Sequence, residues 1–372
     1  MKVLLINYME TTAPGGINKV VCEIAKNMAK NGHEIMVLQP NPLNLKGMEI
    51  YEGFKIIRIN SRFGNYLQDL SPEMYFYLKN NIKKLKPDII HIHGYHTLFS
   101  VSVMRFLSMN GYKGPIIFSP HLDIYKSSFA GKYLWNIYDF FGKGIFKKSS
   151  YIISVSDFEA NRIFKDYKIA ENKISVISHG VNKIDFNHKK IKNGKLNLIY
   201  SGYLVERKGV NHILESLDYL VNKKGMKNVA LTIIGSGPDK DRLIKLSKSL
   251  KIDEYIEWKS FLTNEEYMNS IKESDFFMLL SNSEAYGITV AESLAIGTPC
   301  IVTNVAGLGD FKTEKGCFHV NYPPDPKKVG DLIIELYNKD IEVGPFSEKI
   351  RTWDKVTNDY ERIYTKILKG EA

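Results

Sequence analysis

Short unbroken apolar runs alternate along this chain with longer amphipathic stretches. Runs rich in Ile, Val and Leu predict strands buried on both faces, and the stretches between them predict crossover helices. Together they predict parallel sheets. In the first half the runs Val3–Asn7, Ile35–Leu38, Ile56–Ile59, Ile89–Ile92, Ile116–Ser119, Tyr151–Val155 and Ile174–Ile177 read as strands, and 18–31 as a helix. A polar, lysine-rich connector, Asn187–Lys195, breaks the pattern and predicts a domain boundary. The alternation restarts at Leu196–Ser201 and continues through Ala230–Ile234, Tyr255–Trp258, Phe276–Leu280 and Cys300–Val302. An amphipathic stretch from Trp353 to about Leu368 closes the chain. The expectation is an α/β protein of two doubly wound, Rossmann-like domains, residues 1–186 and 196–352, joined by 187–195.

Composition narrows the class. At 372 residues, with 44% hydrophobic and 25% charged positions, the chain has core material for two such domains. Its formal charge of +10 suits nucleic acid, an anionic membrane surface or a phosphorylated substrate. No nucleic-acid motif accompanies the charge and the lysines are dispersed, so nucleic acid is not expected as a partner. Cys22, Cys300 and Cys317 show no paired or metal-ligand spacing and are read as reduced, buried thiols of a cytosolic protein. The opening Met1–Asn7 is too short for a signal core or a membrane span.

Two further readings fail on spacing. A dinucleotide-dependent oxidoreductase wants Gly-x-Gly-x-x-Gly after the first strand and an acid ending the second. Here the second strand runs out at Leu38-Gln39-Pro40, and Gly235-Ser236-Gly237-Pro238 lacks the third glycine. His91, His93 and His96 share a strand end and invite a metal, but no acid or cysteine cluster completes the set, so no metal is expected.

The densest chemistry lies in 283–299. Glu284 and Glu292 stand eight positions apart, about 80° from each other on one continuous helix, so they make better sense split. Glu284 then sits in a turn with Gly287, and Glu292 past the first turn of a helix starting near Ile288 and closed by Gly297. Amides at that helix start would lie between the carboxylates and offer an anion site. Carboxylates beside a phosphate site usually read hydroxyls, which suggests a sugar joined to a phosphate.

Glu-x7-Glu, an apolar helix, Gly297-Thr298-Pro299 and the strand that follows resemble the nucleotide-sugar site of family-4 retaining glycosyltransferases, and further family features recur in order along nearly the whole chain. The resemblance implies the GT-B fold: two Rossmann-like domains facing across a cleft, with residues 353–372 crossing back onto the first. It implies that Glu292 holds the nucleotide ribose and Glu284 the donor sugar's hydroxyls. Lys208 matches the family lysine that grips the diphosphate. The family arginine is replaced by Tyr203, and Arg207, expected to point elsewhere from an extended turn, is the candidate substitute. Gly15 and Gly16 match the glycine pair by the donor phosphates, with Gly287, Ile288 and Thr289 at the helix start. His121 matches the histidine by the anomeric centre. His93 and Asp123 fall on the acceptor side. Val305–Asp310 resembles the family's glycine-containing loop by the donor.

The expected activity is transfer of a hexose-type sugar, from a UDP-sugar by preference, to an acceptor hydroxyl in cell-surface glycan or glycolipid synthesis. No cofactor or metal is expected. The partners are the nucleotide-sugar donor and a glycan or lipid-linked acceptor. Aromatics and lysines over 125–148, including Phe140, Lys143, Lys147 and Lys148, suit either an anionic membrane surface or a helix covering the sheet. The expected location is cytoplasmic, free or at the inner membrane face. A noncatalytic GT-B partner subunit and a nucleotide-sugar epimerase are the alternatives.

Overall fold

The computed structural model describes residues 1–13, 15–60, 72–95, 97–122, 138–140, 142–183, 194–260, 262–344 and 346–371. Two compact units emerge, Met1–Gly180 with Thr352–Ala372, and Val181–Arg351. The division comes earlier than the expected limit at 186, and most of 187–195 lies outside the described residues.

Among the described residues the first unit carries an eight-stranded sheet. Its strands are β1 (Lys2–Ile6), β2 (Glu34–Pro40), β3 (Met48–Tyr51), β4 (Phe54–Ile59), β5 (Ile89–His93), β6 (Ile116–Ser119), β7 (Tyr151–Ser154) and β8 (Ile174–Val176). They lie in the order β3-β4-β2-β1-β5-β6-β7-β8. The central pairings are parallel, with Leu5 opposite Val37 and His91, while β3 runs antiparallel to β4 at the edge. Val3 to Ile6 are fully buried, as apolar runs between two helix layers must be. β3 gave no signal in the sequence because its residues are exposed or half-buried throughout.

Among the described residues the second unit's main sheet has six parallel strands, in the spatial order Ile256–Lys259, Val229–Ile234, Leu196–Ser201, Phe276–Leu279, Cys300–Thr303 and Cys317–Val320. The last was also unforeseen, since all four of its residues are only half-buried. Local chemistry starts the helices. Thr263 and Glu266 close a reciprocal capping box, the Thr263 amide donating to Glu266 Oε2 at 2.7 Å. Asp325 accepts from the Lys327 amide at 2.9 Å ahead of Pro326.

The helix Trp353–Lys369 belongs to the first unit, where it buries Trp353, Val356, Tyr360, Ile363 and Tyr364. Asn31 donates to Glu361 at 2.8 Å, and Tyr364 hydroxyl and His91 Nδ1 are 2.6 Å apart. The described cysteines are free. Cys300 is buried as expected, but Cys22 and Cys317 are half-buried. Among the described residues no helix is long and apolar enough to cross a membrane.

Each sheet has a point where successive connections leave in opposite directions. In the first it lies between β1 and β5, and in the second between Leu196–Ser201 and Phe276–Leu279. Loops leaving the carboxyl ends of such strands diverge and open a crevice, the usual ligand position of a parallel sheet. Both candidate clusters fall there.

Candidate active site

In the second unit, the strand Leu196–Ser201 runs into a loop and then a single 3-10 turn, Glu206–Lys208. Gly209 follows at φ +67°, and a Cβ there would stand 1.9 Å from the Leu280 carbonyl oxygen. Only glycine lets the turn lie this close to the neighbouring strand end. The approach brings Lys208 onto the loop after Phe276–Leu279. Lys208 Nζ donates to Glu284 Oε1 at 2.6 Å, and Ser281 Oγ donates to the same oxygen at 2.8 Å.

Arg207 corrects the sequence expectation. Because the turn is 3-10 and not extended, its guanidinium points at the same loop. Arg207 Nη1 donates to the Ser283 carbonyl at 3.2 Å and lies 3.8 Å from Glu284 Oε2. Tyr203, at the family arginine position, is 58% exposed. Burial pushes the Glu284 carboxyl up, but the Lys208 and Arg207 charges and the bonds from Lys208 and Ser281 outweigh it and hold the group below its ordinary value. Glu284 is therefore ionised at neutral pH although only 7% exposed.

Glu284 sits in the loop ahead of the helix Ile288–Ile296, which Gly287 caps at φ +108°. Val290 and Ala291 amides both bond the Gly287 carbonyl, so those of Ile288 and Thr289 precede the intrahelical ladder. Gly287, Ile288 and Thr289 are half-buried beside the buried Glu284. The Gly307 amide donates to the Glu284 carbonyl at 2.9 Å, which ties the loop resembling the family's donor loop to this turn. Glu292, one turn into the helix and 5% exposed, accepts from the Tyr267 hydroxyl at 2.7 Å.

The first unit gathers the other candidates around its own crevice. Gly15 caps the helix Gly16–Lys30, and both glycines are exposed. The loop before them is held from beneath: Asn7 Nδ2 donates to Thr11 Oγ1 at 3.0 Å, and Glu10 is paired with Arg58 at 2.7 Å. His93 at the end of β5 is fully buried, its Nδ1 3.2 Å from His121 Nε2. The His91 ring lies 4.1 Å from that of His93, and the His179 ring 5.5 Å from that of His121. Burial lowers the His91 and His179 pKa values to about 3, so both stay neutral through the physiological range. His121 holds φ +51°, an unusual backbone for a non-glycine residue. Glu159 supports that backbone: its carboxylate accepts the Leu122 amide at 2.5 Å and the Val155 amide at 2.7 Å. Burial raises Glu159 to about 7 against those bonds. Asp123 and His96 lie outside the described residues.

Lys208, Arg207, Glu284, Gly287, Ile288, Thr289 and Glu292 thus occupy the second unit, and Gly15, Gly16, His93 and His121 the first. Sequence reasoning missed Tyr267, Ser281 and Glu159. Each reaches its partner across the fold or through a loop, and none sits in a motif.

Two α/β units with largely parallel sheets and polar groups at each switch point, the second with a cation-bound acidic loop before a glycine-capped helix, make up a GT-B fold. The sequence places it further: residues 14–183 match Glycosyltransferase Family 4 and residues 181–353 match Glycosyl transferases group 1. The chain belongs to the family-4 glycosyltransferases, enzymes that draw on nucleoside-diphosphate-sugar donors. It is 23% identical to an uncharacterised glycosyltransferase of Methanocaldococcus jannaschii over 98% of both chains. The fold is similar to that of a sucrose-phosphate synthase from Thermosynechococcus elongatus, with a TM-score of 0.81, 16% identity and 99% of each chain covered. A protein of Anabaena solved in complex with UDP and glucose is similar at a TM-score of 0.74 and 13% identity, over 98% of this chain and 99% of that one.

Proposed function

We propose that this protein is a retaining hexosyltransferase that takes its sugar from a UDP-sugar and needs no metal. The acceptor in this reading is a hydroxyl of a glycan or lipid-linked sugar in cell-surface synthesis. One observation carries it: Lys208 and Arg207 both converge on Glu284 immediately before the glycine-capped helix start at Ile288.

Departure of a nucleoside diphosphate builds negative charge on phosphate oxygens. Two cations and a helix start beside that position offset the charge without a metal ion. Glu284, kept ionised by the same cations, is suited to accept from sugar hydroxyls, and Glu292 from the ribose. The anomeric carbon–phosphate oxygen bond breaks, the acceptor oxygen bonds the same face, and its proton passes to the departing phosphate. Gly15, Gly16 and His121 join this reading through their match to the family motifs, as do His93 and Asp123 on the acceptor side. The Anabaena protein's UDP and glucose support the choice of base and sugar.

Calorimetric titration with UDP, GDP, ADP and their sugar conjugates tests the donor site. Selective binding of UDP compounds, abolished in Glu292→Ala, is expected. Turnover with each candidate acceptor should then give a product whose anomeric configuration, read by proton NMR, equals the donor's, with full activity in chelator. An inverted product rejects the mechanism. Failure of every nucleotide to bind points to Tyr203 as a disabling change and to a noncatalytic partner subunit. Placement at the inner membrane face rests on exposed Phe140, with Lys143 Nζ 5.3 Å from its ring centroid. Flotation with anionic liposomes, lost when Lys143, Lys147 and Lys148 are reversed to Glu, checks it.

A further inference from the structure

The contact between Tyr267 and Glu292 has no counterpart in the motifs that mark the donor site. Tyr267 projects from the helix Asn264–Lys272, which packs on the helix bearing Glu292. Its hydroxyl donates to Glu292 Oε2 at 2.7 Å, the length of a charge-assisted bond. A phenol has a single proton, and Glu292 takes it. Burial of the hydroxyl, and then the Glu292 charge beside it, push Tyr267 well above the phenol range, so it remains a donor at every working pH.

A glutamate side chain has three rotatable bonds, and a loosely held carboxylate presents its oxygens in many orientations. One oxygen held by a fixed phenol narrows the orientations open to the group. A vicinal diol needs that restriction, because its two hydroxyls meet a carboxylate together in only a narrow range of orientations.

We propose that Tyr267 is a positioning residue of the nucleotide site: its hydroxyl fixes the Glu292 carboxylate for the ribose diol and so sets discrimination between ribonucleotides and deoxyribonucleotides. This rests on the reading of Glu292 as the ribose-binding carboxylate.

The test is calorimetric titration of the whole protein with UDP, 2′-deoxy-UDP and 3′-deoxy-UDP, using wild type, Tyr267→Phe, Glu292→Gln and the double variant. The phenylalanine keeps the ring and removes only the donor. The wild type is expected to prefer UDP over either deoxy form. Tyr267→Phe is expected to weaken UDP about tenfold, the typical value of one bond to a charged group, while barely changing the deoxy forms. The preference therefore shrinks, and the double variant discriminates no less than Glu292→Gln alone, the sign of a shared pathway. A merely structural bond between two helices would lower the thermal midpoint and leave the preference intact. If Glu292→Gln erases the preference and Tyr267→Phe keeps it, the positioning role is overturned and the donor site stands. If wild type binds no UDP, or binds all three alike, the reading of Glu292 is overturned and this assignment falls with it.

Discussion

At the scale of single residues, the site turns on how an acidic group stays charged while buried. Glu284 owes its charge to Lys208 at 2.6 Å and to Arg207 further off, not to water. Lys208→Met should therefore act twice. The buried carboxylate loses its nearest counter-charge, which should lower stability by about 3 kcal/mol in urea titration. In the proposed reaction Lys208 is also the cation for the departing phosphate, so its loss should lower kcat on the order of 100-fold or more. Adding Glu284→Gln should recover much of the stability and none of the activity; recovery of both would show that the pair is only structural. The buried histidines give a second residue-scale prediction. His91 and His179 titrate near 3 in the folded protein and near 6.5 when unfolded. Between those values the unfolded chain binds the extra protons, so folding stability is whole above about 6.5 and falls as pH drops toward 3. The expected slope is about 1.4 kcal/mol per pH unit for each histidine. Urea unfolding at pH 7, 6 and 5 should show a shallower decline in His91→Gln than in wild type; equal slopes would mean that His91 charges in the fold.

Elements decide where those residues point, and here the limits of the sequence become physical. The spacing Glu284 to Glu292 was legible because a glycine turn and a short apolar helix are local events, and the helix begins at Ile288 as its pattern indicates. Strands such as Ile116–Ser119, buried along their whole length, were legible for the same reason. The edge strands Met48–Tyr51 and Cys317–Val320 were not, since half-exposed positions carry no apolar run. Arg207's direction was misjudged because it depends on a 3-10 turn that lies against the neighbouring strand end, where the Asn282 amide donates to the Arg207 carbonyl at 2.8 Å and Gly209 approaches Leu280. The Tyr267–Glu292 bond spans 25 positions and two helices, and Tyr267 alone reads as an ordinary amphipathic residue. The turn also offers a clean test. Gly209→Ala places a Cβ 1.9 Å from a carbonyl oxygen, whereas Gly225→Ala, at the similar φ of +71°, meets nothing within 4 Å. Both pay the left-handed penalty of about 1 to 2 kcal/mol. Only Gly209→Ala must also move the Lys208 turn, so only it should weaken UDP binding, by about tenfold. Wild-type affinity in Gly209→Ala would show that the apposition does not set the lysine's position.

Over the whole molecule the two units differ in how the chain builds them. Lys208, Glu284, Glu292 and Tyr267 all fall within the continuous stretch 181–351, with a six-stranded sheet and a core of their own. The first unit is discontinuous: its sheet is completed by a helix from the far end of the chain. Trp353 lies under Gly180, where a Cβ would stand 2.8 Å from the Trp353 Cα, and Tyr364 fills the space beside His91. Removing that helix would uncover His91 and the apolar stripe it packs on, a loss far larger than the margin by which domains are stable. Expressed alone, 181–351 should fold cooperatively and bind UDP within a few-fold of the full chain without transferring sugar. Residues 1–180 alone should lack a cooperative transition by circular dichroism, and fusing 352–372 to them should restore it. A cooperatively folding 1–180 fragment would make the closing helix an accessory. If the full chain binds UDP and the 181–351 fragment folds but does not, the nucleotide site draws necessary groups from the first unit, and the Gly15–Gly16 loop becomes the first place to look for them.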